Sequence, residues 1–142
     1  RQERERTSPT TYIDAAHHPH GAKALGAALD RDFDFARLIG VLSIFADKDA
    51  PGILTALEPY LTEVVITQNS SPRALDAYEL AETARDIYGE ERIHVADNLP
   101  GAYAQAVELA EDAEVQSGSG IIITGSVVTA GDARAMFGKE PV

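Results

Sequence analysis

The feature of this sequence that most constrains its fold is a regular alternation of short apolar segments with longer alanine-rich segments. The apolar segments are rich in β-branched residues and bounded by turn residues, which is typical of buried parallel strands. The segments between them repeat their apolar residues with helical spacing, as crossover helices do. We therefore predict an α/β sandwich of three layers, with helices on both faces of a mainly parallel sheet. The predicted strands are 10–15, 36–44, 62–67, 92–96 and 120–124.

Local signals place a helix after each predicted strand. The first helix is expected to begin near Pro19, and the third to begin at Pro72, with Ser71 as its N-cap, and to end at Gly89. The polar opening segment 1–11 is expected to be either an antiparallel edge strand or disordered. Because the chain starts without methionine, we expect it to be part of a longer protein. The apolar face predicted for the third helix is formed by Leu75, Tyr78, Ala81, Ala84 and Tyr88.

Composition limits the classes of protein to which the chain can belong. Its 142 residues suit one domain, 1–142, and its 44% hydrophobic content is enough for a normal core. The formal net charge of −11 repels phosphate backbones, so nucleic acid is not expected as a partner. The sequence has no cysteine, which excludes disulfides and thiolate metal sites. The longest apolar segment, 38–46, is too short to cross a membrane, so we expect a cytoplasmic protein without a membrane partner.

Polar residues follow the predicted strands at the ends where ligands bind in open α/β sheets. The segment 12–22, YIDAAHHPHGA, places one carboxylate and three imidazoles directly after the first strand. Asp14 is suited to accept hydrogen bonds from ribose hydroxyls, and imidazoles at a helix start can donate to phosphate. Alternatively, Asp14 and the histidines only cap the helix. A metal site is not predicted, because the spacing of His17, His18 and His20 does not bring their imidazoles to one ion.

Segments along the chain, taken in order, resemble the motifs of a known enzyme family. DAAHHPHGA (14–22) resembles the D-x-A-H-N-P-H-x-A segment of folylpolyglutamate synthases and bifunctional dihydrofolate synthases, and FADKD (45–49) resembles their DKD loop. SSPRALDAYELA (70–81) is similar to their S-P-R-A helix start, and IIITGSVVTAGDAR (121–134) to their TGS segment. The likeness extends over essentially the entire chain. It is to the carboxyl-terminal domain of this family, which has a Rossmann-like fold and belongs to the wider Mur ligase superfamily.

The resemblance implies an ATP-dependent acid–amino-acid ligase of folate biosynthesis and one-carbon metabolism. Such enzymes use ATP and Mg²⁺ to phosphorylate a carboxylate of dihydropteroate or of a folate glutamate, and the amine of L-glutamate then attacks the acyl phosphate. In the family, the phosphate loop and the Mg²⁺ ligands belong to an amino-terminal ATPase domain, and this sequence contains no GxxxxGK[ST] loop. We therefore expect ATP, L-glutamate, folate or dihydropteroate, and a covalently linked ATPase domain as partners, and a monomeric fragment that is inactive alone.

The resemblance also assigns residues to the nucleotide. Asp14 matches the family aspartate that binds the ATP ribose, and His17 matches the histidine that faces the nucleotide, which makes His17 the candidate for a catalytic role. Arg1 matches an ATP-contacting arginine of a P-G-R segment, of which only the last letter is present. His18 stands where the family has asparagine. A neutral imidazole both donates and accepts as an amide does, whereas a protonated one cannot accept, so nucleotide affinity is expected to depend on pH.

Lys48 and Ser126 occupy loops where related Mur ligases hold the carboxylates of the incoming amino acid, and Arg73 is a third candidate for the same substrate. Lys48 and Ser126 are expected to bind the carboxylates of glutamate, and Arg73 to orient it. Each has a structural alternative: an exposed ion pair of Lys48 with a neighbouring aspartate, an N-cap role for Ser126, and a place for Arg73 in the first turn of a helix.

Other classes of function fit the residues less well. A phospho-acceptor receiver domain needs a pair of acids after the first strand and a lysine after the fifth, where this chain has Asp14-Ala15-Ala16 and Gly125-Ser126. A nucleotide-binding or regulatory α/β domain without catalysis stays as the alternative to a ligase domain. The retention of Asp14, His17, Lys48 and Ser126 together favours the ligase.

Overall fold

The computed structural model describes residues 3–7, 9–112 and 118–138 of the chain, and these form six strands and five α-helices. The strands are β1 (Glu3–Thr7), β2 (Thr10–Ile13), β3 (Arg37–Leu42), β4 (Glu63–Ile66), β5 (Ile93–Val95) and β6 (Ser119–Thr124). The helices are α1 (Pro19–Asp32), α2 (Ala50–Leu57), α3 (Ala77–Tyr88), α4 (Leu99–Glu111) and α5 (Val127–Phe137), and single 3₁₀ turns precede β4 (Glu58–Tyr60) and β5 (Glu90–Arg92). None of the described helices is long and apolar enough to cross a lipid bilayer.

The sheet is mainly parallel, which confirms the predicted fold class. Its strands are ordered β1-β2-β6-β3-β4-β5, and the four pairs β2·β6, β6·β3, β3·β4 and β4·β5 are parallel. The observed parallel strands agree with the predicted segments to within a few residues at each end. β1 pairs antiparallel with β2, with Thr7 opposite Thr10, so this part of the opening segment is an edge strand.

Helices cover both faces of the sheet because alternate residues of each strand point to opposite sides. In β3, Leu38 and Leu42 face α1, α2 and α3, whereas Ile39 and Val41 face α4 and α5. Ile39, Val41 and Leu42 are completely buried, and burial of each such side chain contributes roughly 1.5–3 kcal/mol. The alternation thus gives two apolar cores, one on each side of a shared sheet.

The third helix begins later than the sequence predicts. Asp76, not Ser71, is its N-cap and accepts from the N–H groups of Tyr78 and Glu79, so Pro72 lies outside the helix. The chain just before the helix is held by β-type contacts instead, because the N–H of Leu75 donates to Ile44. The buried face of this helix also differs in part from the predicted one.

Tyr78 is 57% exposed, and the buried face of α3 consists of Ala77, Leu80, Ala81, Ala84 and Tyr88. Gly89 does end the helix, with φ of +91° and its N–H bound to Arg85.

The strand order creates a crevice at the carboxyl ends of β2, β6 and β3. α1 follows β2 and α2 follows β3 on one face, whereas α5 follows β6, which lies between them, on the other face. The chain therefore leaves adjacent strands in opposite directions, and ligands of open α/β sheets bind at such switch points. Three segments border this crevice: 14–18, 43–49 and 125–129.

Candidate functional site

Asp14 stands at the carboxyl end of β2 and is 6% exposed. Its N–H extends the ladder to β6 by donating to the carbonyl of Ile123 at 3.0 Å. Its Oδ1 accepts from the N–H of Ala16 at 2.8 Å, which turns the chain out of the strand. The backbone thus fixes the carboxylate at the position that the sequence predicts.

His17 and His18 use the same ring nitrogen in opposite ways. Nδ1 of His17 lies 2.9 Å from the carbonyl oxygen of Ala15, so it must carry the proton and donate. Nδ1 of His18 accepts from the N–H of Gly21 at 2.9 Å, so it must be unprotonated. His18 is therefore the N-cap of α1, which confirms the capping interpretation for this histidine and assigns its neutral form.

A cleft of about 420 Å³ lies beside these residues. Asp14, His17 and His18 supply its polar lining, and small residues of α1 supply much of the rest: Gly21, Ala24 and Ala28. Bulkier side chains at these helix positions would fill the space. Asp14 and His17, predicted as nucleotide ligands, thus share one concave surface.

The three histidines of this segment do not converge on a common point. The rings of His18 and His20 stack at 6.4 Å with an interplanar angle of 10°, and those of His17 and His18 meet edge to face at 5.0 Å. Among the residues that the structure describes, no group of three His, Asp or Glu side chains is arranged to hold a metal ion.

The loops after β3 and β4 are joined to each other. Phe45 and Ala74 form an antiparallel bridge, and the N–H of Ala46 donates to the carbonyl of Arg73 at 2.8 Å. The Arg73 guanidinium donates to Asp47 at 2.9 Å and lies 4.3 Å from the centroid of the Phe45 ring. Arg73 thus precedes α3 rather than lying in its first turn, so that alternative is wrong. Its observed role is to tie the two loops together.

Lys48 does not form the ion pair that its structural alternative requires. Asp47 is bound by Arg73, and the hydrogen bond from Arg73 lowers the pKa of Asp47. Asp49 caps α2, because its Oδ1 accepts from the N–H of Gly52 at 2.9 Å. Within the described ranges, Lys48 forms no salt bridge with a carboxylate, and its side chain is exposed. Its charge contributes less than Arg73 does to the lowered pKa of Asp47, and its loop borders the crevice.

Ser126 caps α5, as its structural alternative predicts. Its Oγ accepts from the N–H of Thr129 at 2.9 Å, and the residue is 1% exposed. The N–H groups of Val127 and Val128 lie before the first intrahelical bond of α5, where a helix N-terminus favours anions. Arg1, the remaining predicted ligand, lies outside the described residues.

Sequence reasoning missed Asn69. This residue lies in the loop after β4 and is 7% exposed. Its Nδ2 donates to Ser126 at 3.1 Å and to Thr129 at 3.0 Å, and its N–H donates to the hydroxyl of Ser43 at 2.8 Å. The only signal available in the sequence was a polar residue at a strand end. Its partners are 26, 57 and 60 residues distant along the chain, so no local pattern reveals them.

Comparison with known proteins agrees with this geometry. Residues 1–127 match the family described as Mur ligase, glutamate ligase domain. The dihydrofolate synthase/folylpolyglutamate synthase of Mycobacterium tuberculosis is 50% identical over 149 aligned positions, which cover 99% of this chain and 31% of that protein. The crystal structure of M. tuberculosis folylpolyglutamate synthase complexed with ADP and AMPPCP matches with a TM-score of 0.94 and 51% identity, over 99% of this chain and 32% of that one.

A more distant solved structure matches the same fold. It is a bifunctional folylpolyglutamate synthase/dihydrofolate synthase with a TM-score of 0.75 and 24% identity, over 92% of this chain and 29% of that one. The chain thus spans about a third of the length of these relatives. The family match covers most of the sequence and includes the strand-end loops that border the crevice. The chain belongs to the Mur ligase family, as a glutamate ligase domain.

Proposed function

We propose that residues 1–142 are the carboxyl-terminal domain of a longer ATP-dependent ligase that adds L-glutamate to dihydropteroate, to folate glutamates, or to both. The names of the M. tuberculosis relatives support this class of reaction. The observation that carries the proposal is the crevice at the switch point. A buried carboxylate, Asp14, lies on one side of β6, and the loop that carries Lys48 follows β3 on the other side.

The chemistry of this reaction needs the nucleotide and the glutamate to be held close together in the correct orientation. A carboxylate oxygen of the acceptor attacks the γ-phosphorus of ATP, and ADP leaves with the bond electrons. The amine nitrogen of glutamate then attacks the acyl carbon, loses a proton, and expels inorganic phosphate. A domain that holds the nucleotide and the glutamate lowers the entropic barrier of both steps by positioning.

The nucleotide end of the site is proposed to consist of the cleft beside α1. Asp14 accepts hydrogen bonds from the ribose hydroxyls, and His17 faces the nucleotide from the same cleft, with its ring oriented by the bond from Nδ1 to Ala15. Arg1 adds a further ATP contact. Mg²⁺ neutralises developing phosphate charge when bound, and we assign its ligands to the ATPase domain because the described residues offer no cluster for it.

The glutamate end is proposed to lie between the loop of Lys48 and the start of α5. Lys48 supplies a charge to one carboxylate, and the first N–H groups of α5 supply donors to the other. Ser126 acts chiefly by holding that first turn, since its hydroxyl is buried. Arg73 acts on glutamate through the loop that it shapes, by engaging Asp47 next to Lys48. We propose the cytoplasm as the compartment and a monomer as the state of the protein.

The test uses the full-length protein and the isolated chain 1–142. With ATP, Mg²⁺ and either dihydropteroate or tetrahydrofolate, the full-length protein is expected to incorporate radiolabelled glutamate and release equal ADP. The isolated chain is expected to incorporate none and to bind ATP only in the millimolar range by calorimetry. Loss of most nucleotide contacts has this effect, because each ~1.4 kcal/mol changes the dissociation constant tenfold.

The same experiment tests the alternative. A regulatory domain without catalysis predicts nucleotide binding by the full-length protein with no glutamate incorporation on either acceptor. Low-micromolar ATP binding by the isolated chain would contradict the division of the site between two domains. Comparison of the two acceptors assigns the substrate preference.

A further inference from the structure

We propose that Asn69 is the positioning residue for the glutamate end of the site, an inference that rests on the proposed function. Asn69 lies at the carboxyl end of β4, beside the crevice rather than in it. It contacts three segments that come from different strands: Ser43 after β3, its own loop after β4, and the start of α5 after β6. Asn69 reaches Ser43 through its backbone N–H and the other two segments through its side chain, and Thr129 links the same three segments through its hydroxyl.

The orientation of the Asn69 amide is determined by its partners. Its Oδ1 accepts from the N–H of Ser71 at 3.0 Å, and a backbone N–H can only donate. The two protons of Nδ2 therefore point to the hydroxyls of Ser126 and Thr129. All the donors of the side chain are used, and a carboxylate in the same place would supply none.

The network fixes the polarity of the Ser126 hydroxyl as well. Thr129 must donate its own hydroxyl proton to the carbonyl of Ser43, 2.9 Å away. The Ser126 oxygen accepts from the N–H of Thr129 and from Asn69, which occupies both of its lone pairs. Ser126 is left with one proton to donate, either to Thr129 at 2.9 Å or to a ligand. A hydroxyl restricted to donation suits a carboxylate.

Asn69 also couples this turn to the loop of Lys48. Its Oδ1 accepts from the N–H of Ser71. Ala74, three residues further along the same loop, forms the bridge to Phe45, and the loop that follows Phe45 carries Lys48. Ser70, its chain neighbour, donates from its N–H and its hydroxyl to Asp132 of α5, at 2.7 and 2.9 Å. The distance between the start of α5 and Lys48 therefore depends on one buried amide and the bonds next to it. These are the two parts of the glutamate site.

The first variant that tests this proposal is Asn69→Asp in the full-length enzyme. Aspartate has the same shape and keeps the acceptor for Ser71, but it cannot donate to Ser126 or Thr129. We expect the KM for glutamate to rise about tenfold or more, and the KM for ATP to change less than about twofold. Binding of the nucleotide at Asp14 is the internal control.

A second variant and a matched control guard against general loss of stability. Thr129→Val removes a buried hydroxyl that donates to the backbone carbonyl of Ser43. Tyr88→Phe removes a buried hydroxyl that lies far from the crevice and donates to the backbone carbonyl of Leu54 at 2.7 Å. Thr129→Val should lose at least as much thermal stability as Tyr88→Phe, because the Thr129 hydroxyl also accepts from Asn69, but Thr129→Val alone should raise the KM for glutamate. In the double variant with Asn69→Asp, the two effects on KM should be less than multiplicative, because both remove the same contact.

The outcomes separate this inference from the proposed function. If the parent enzyme ligates glutamate and Asn69→Asp has an unchanged KM for glutamate, the proposed function stands and the positioning role of Asn69 is overturned. Equal increases in the KM for both substrates overturn it too, since they indicate general loosening. If Asn69→Asp does not fold, the comparison of Thr129→Val with Tyr88→Phe decides by the same criterion. A parent enzyme without glutamate ligation overturns the proposed function, and this inference with it.

Discussion

Arg73 donates a hydrogen bond of 2.9 Å to Asp47 across two loops that follow adjacent strands. The contact lowers the pKa of Asp47, so its carboxylate stays ionised and is compensated by arginine. The charge of Lys48 also lowers the pKa of Asp47, but by less than the contact with Arg73. The pair of Arg73 and Asp47 thus keeps the adjacent lysine available to a ligand. Because both side chains are more than half exposed, we expect this effect on the site to exceed any effect on stability.

Replacement of Lys48 by methionine is expected to raise the KM for glutamate. Loss of a charge-assisted hydrogen bond costs roughly 1.5–3 kcal/mol, or about 10- to 150-fold in KM. Arg31→Gln is the charge-matched control, because Arg31 lies at the far end of α1 from the crevice and, among the described residues, pairs with the adjacent Asp32. Steady-state kinetics should show a normal glutamate KM in the control. Equal effects of both variants would indicate a general field effect rather than a contact.

Gly125 and Gly131 are expected to respond in opposite directions to replacement by alanine. Gly125 has φ of +123°, and a Cβ there would lie 2.3 Å from the carbonyl oxygen of Ser43. Gly125→Ala should therefore lower the free energy of unfolding by at least about 2 kcal/mol. Gly131 is exposed within α5 with no atom near its Cβ position, so Gly131→Ala should raise it by about 0.5–1 kcal/mol. Urea unfolding of the chain 1–142 measures both, and a stable Gly125→Ala variant would show that this close approach of β6 to β3 is absent.

Strand and helix positions followed from periodicity because each depends on local spacing of apolar residues. The start of α3 did not, because the segment before it pairs with the distant loop at Phe45 instead of continuing the helix. Ser71 and Pro72 form a good local helix start, and the tertiary contact prevails over it. Tyr78 lies on the exposed face of α3, where its hydroxyl donates to Asp97, a partner that helical spacing does not reveal.

The two sides of the candidate site differ in how far the sequence predicted them. Asp14 and the His18 cap follow from one segment of the chain, so their geometry agrees with local expectation. The availability of Lys48 depends on Arg73, and the orientation of Ser126 depends on Asn69, in each case through contacts between strand-end loops. Strand order determines those contacts, and strand order could not be predicted from the sequence.

The stability of the chain in acid is expected to depend on Glu63. Burial alone would raise the pKa of this carboxyl, but hydrogen bonds with His94 and Arg37 and their charges outweigh burial and lower it. The folded state therefore favours the ionised form. The contribution is complete above about pH 4.3, where glutamate titrates in unfolded chains, and is lost as the pH falls through the lower folded value.

Glu63→Gln should consequently be less stable at neutral pH and should change less between about pH 5 and pH 3 than the parent. Glu90→Gln is the control, because Glu90 is 82% exposed in its pair with Arg85 and should behave as the parent. Urea midpoints across this range measure both. A parallel acid dependence in Glu63→Gln would assign the loss of stability to other groups.

His18→Asn is expected to keep the start of α1 intact, whereas His18→Ala should weaken it. The ring of His18 accepts from the N–H of Gly21 and caps the helix. Asparagine offers an oxygen for the same bond, and loss of an N-cap acceptor costs about 0.5–2 kcal/mol. Urea unfolding of the chain 1–142 should therefore give a lower free energy of unfolding for His18→Ala than for His18→Asn. Equal stability of the two variants would mean that the cap contributes nothing to the fold.

Replacement of Asp14 by asparagine and by alanine separates its turn from its proposed ligand contact. Asparagine keeps an acceptor for the N–H of Ala16, so the turn after β2 should survive, whereas alanine removes both. Both variants lose the charged acceptor for the ribose, which costs roughly 1.5–3 kcal/mol and should raise the KM for ATP about 10- to 150-fold. If nucleotide binding drives domain closure, kcat will fall as well.

The ribose contact itself is tested with 2′,3′-dideoxy-ATP. This analogue lacks the hydroxyls that Asp14 is proposed to bind, so the parent enzyme should use it poorly. The two variants should use it about as well as the parent does, because the contact that they lack is already absent. Asp14 then accounts for the discrimination between ATP and the analogue, and the ratio of kcat/KM for the two nucleotides should approach one in Asp14→Asn. If that ratio is the same in Asp14→Asn as in the parent, the carboxylate acts only in the turn that receives the N–H of Ala16.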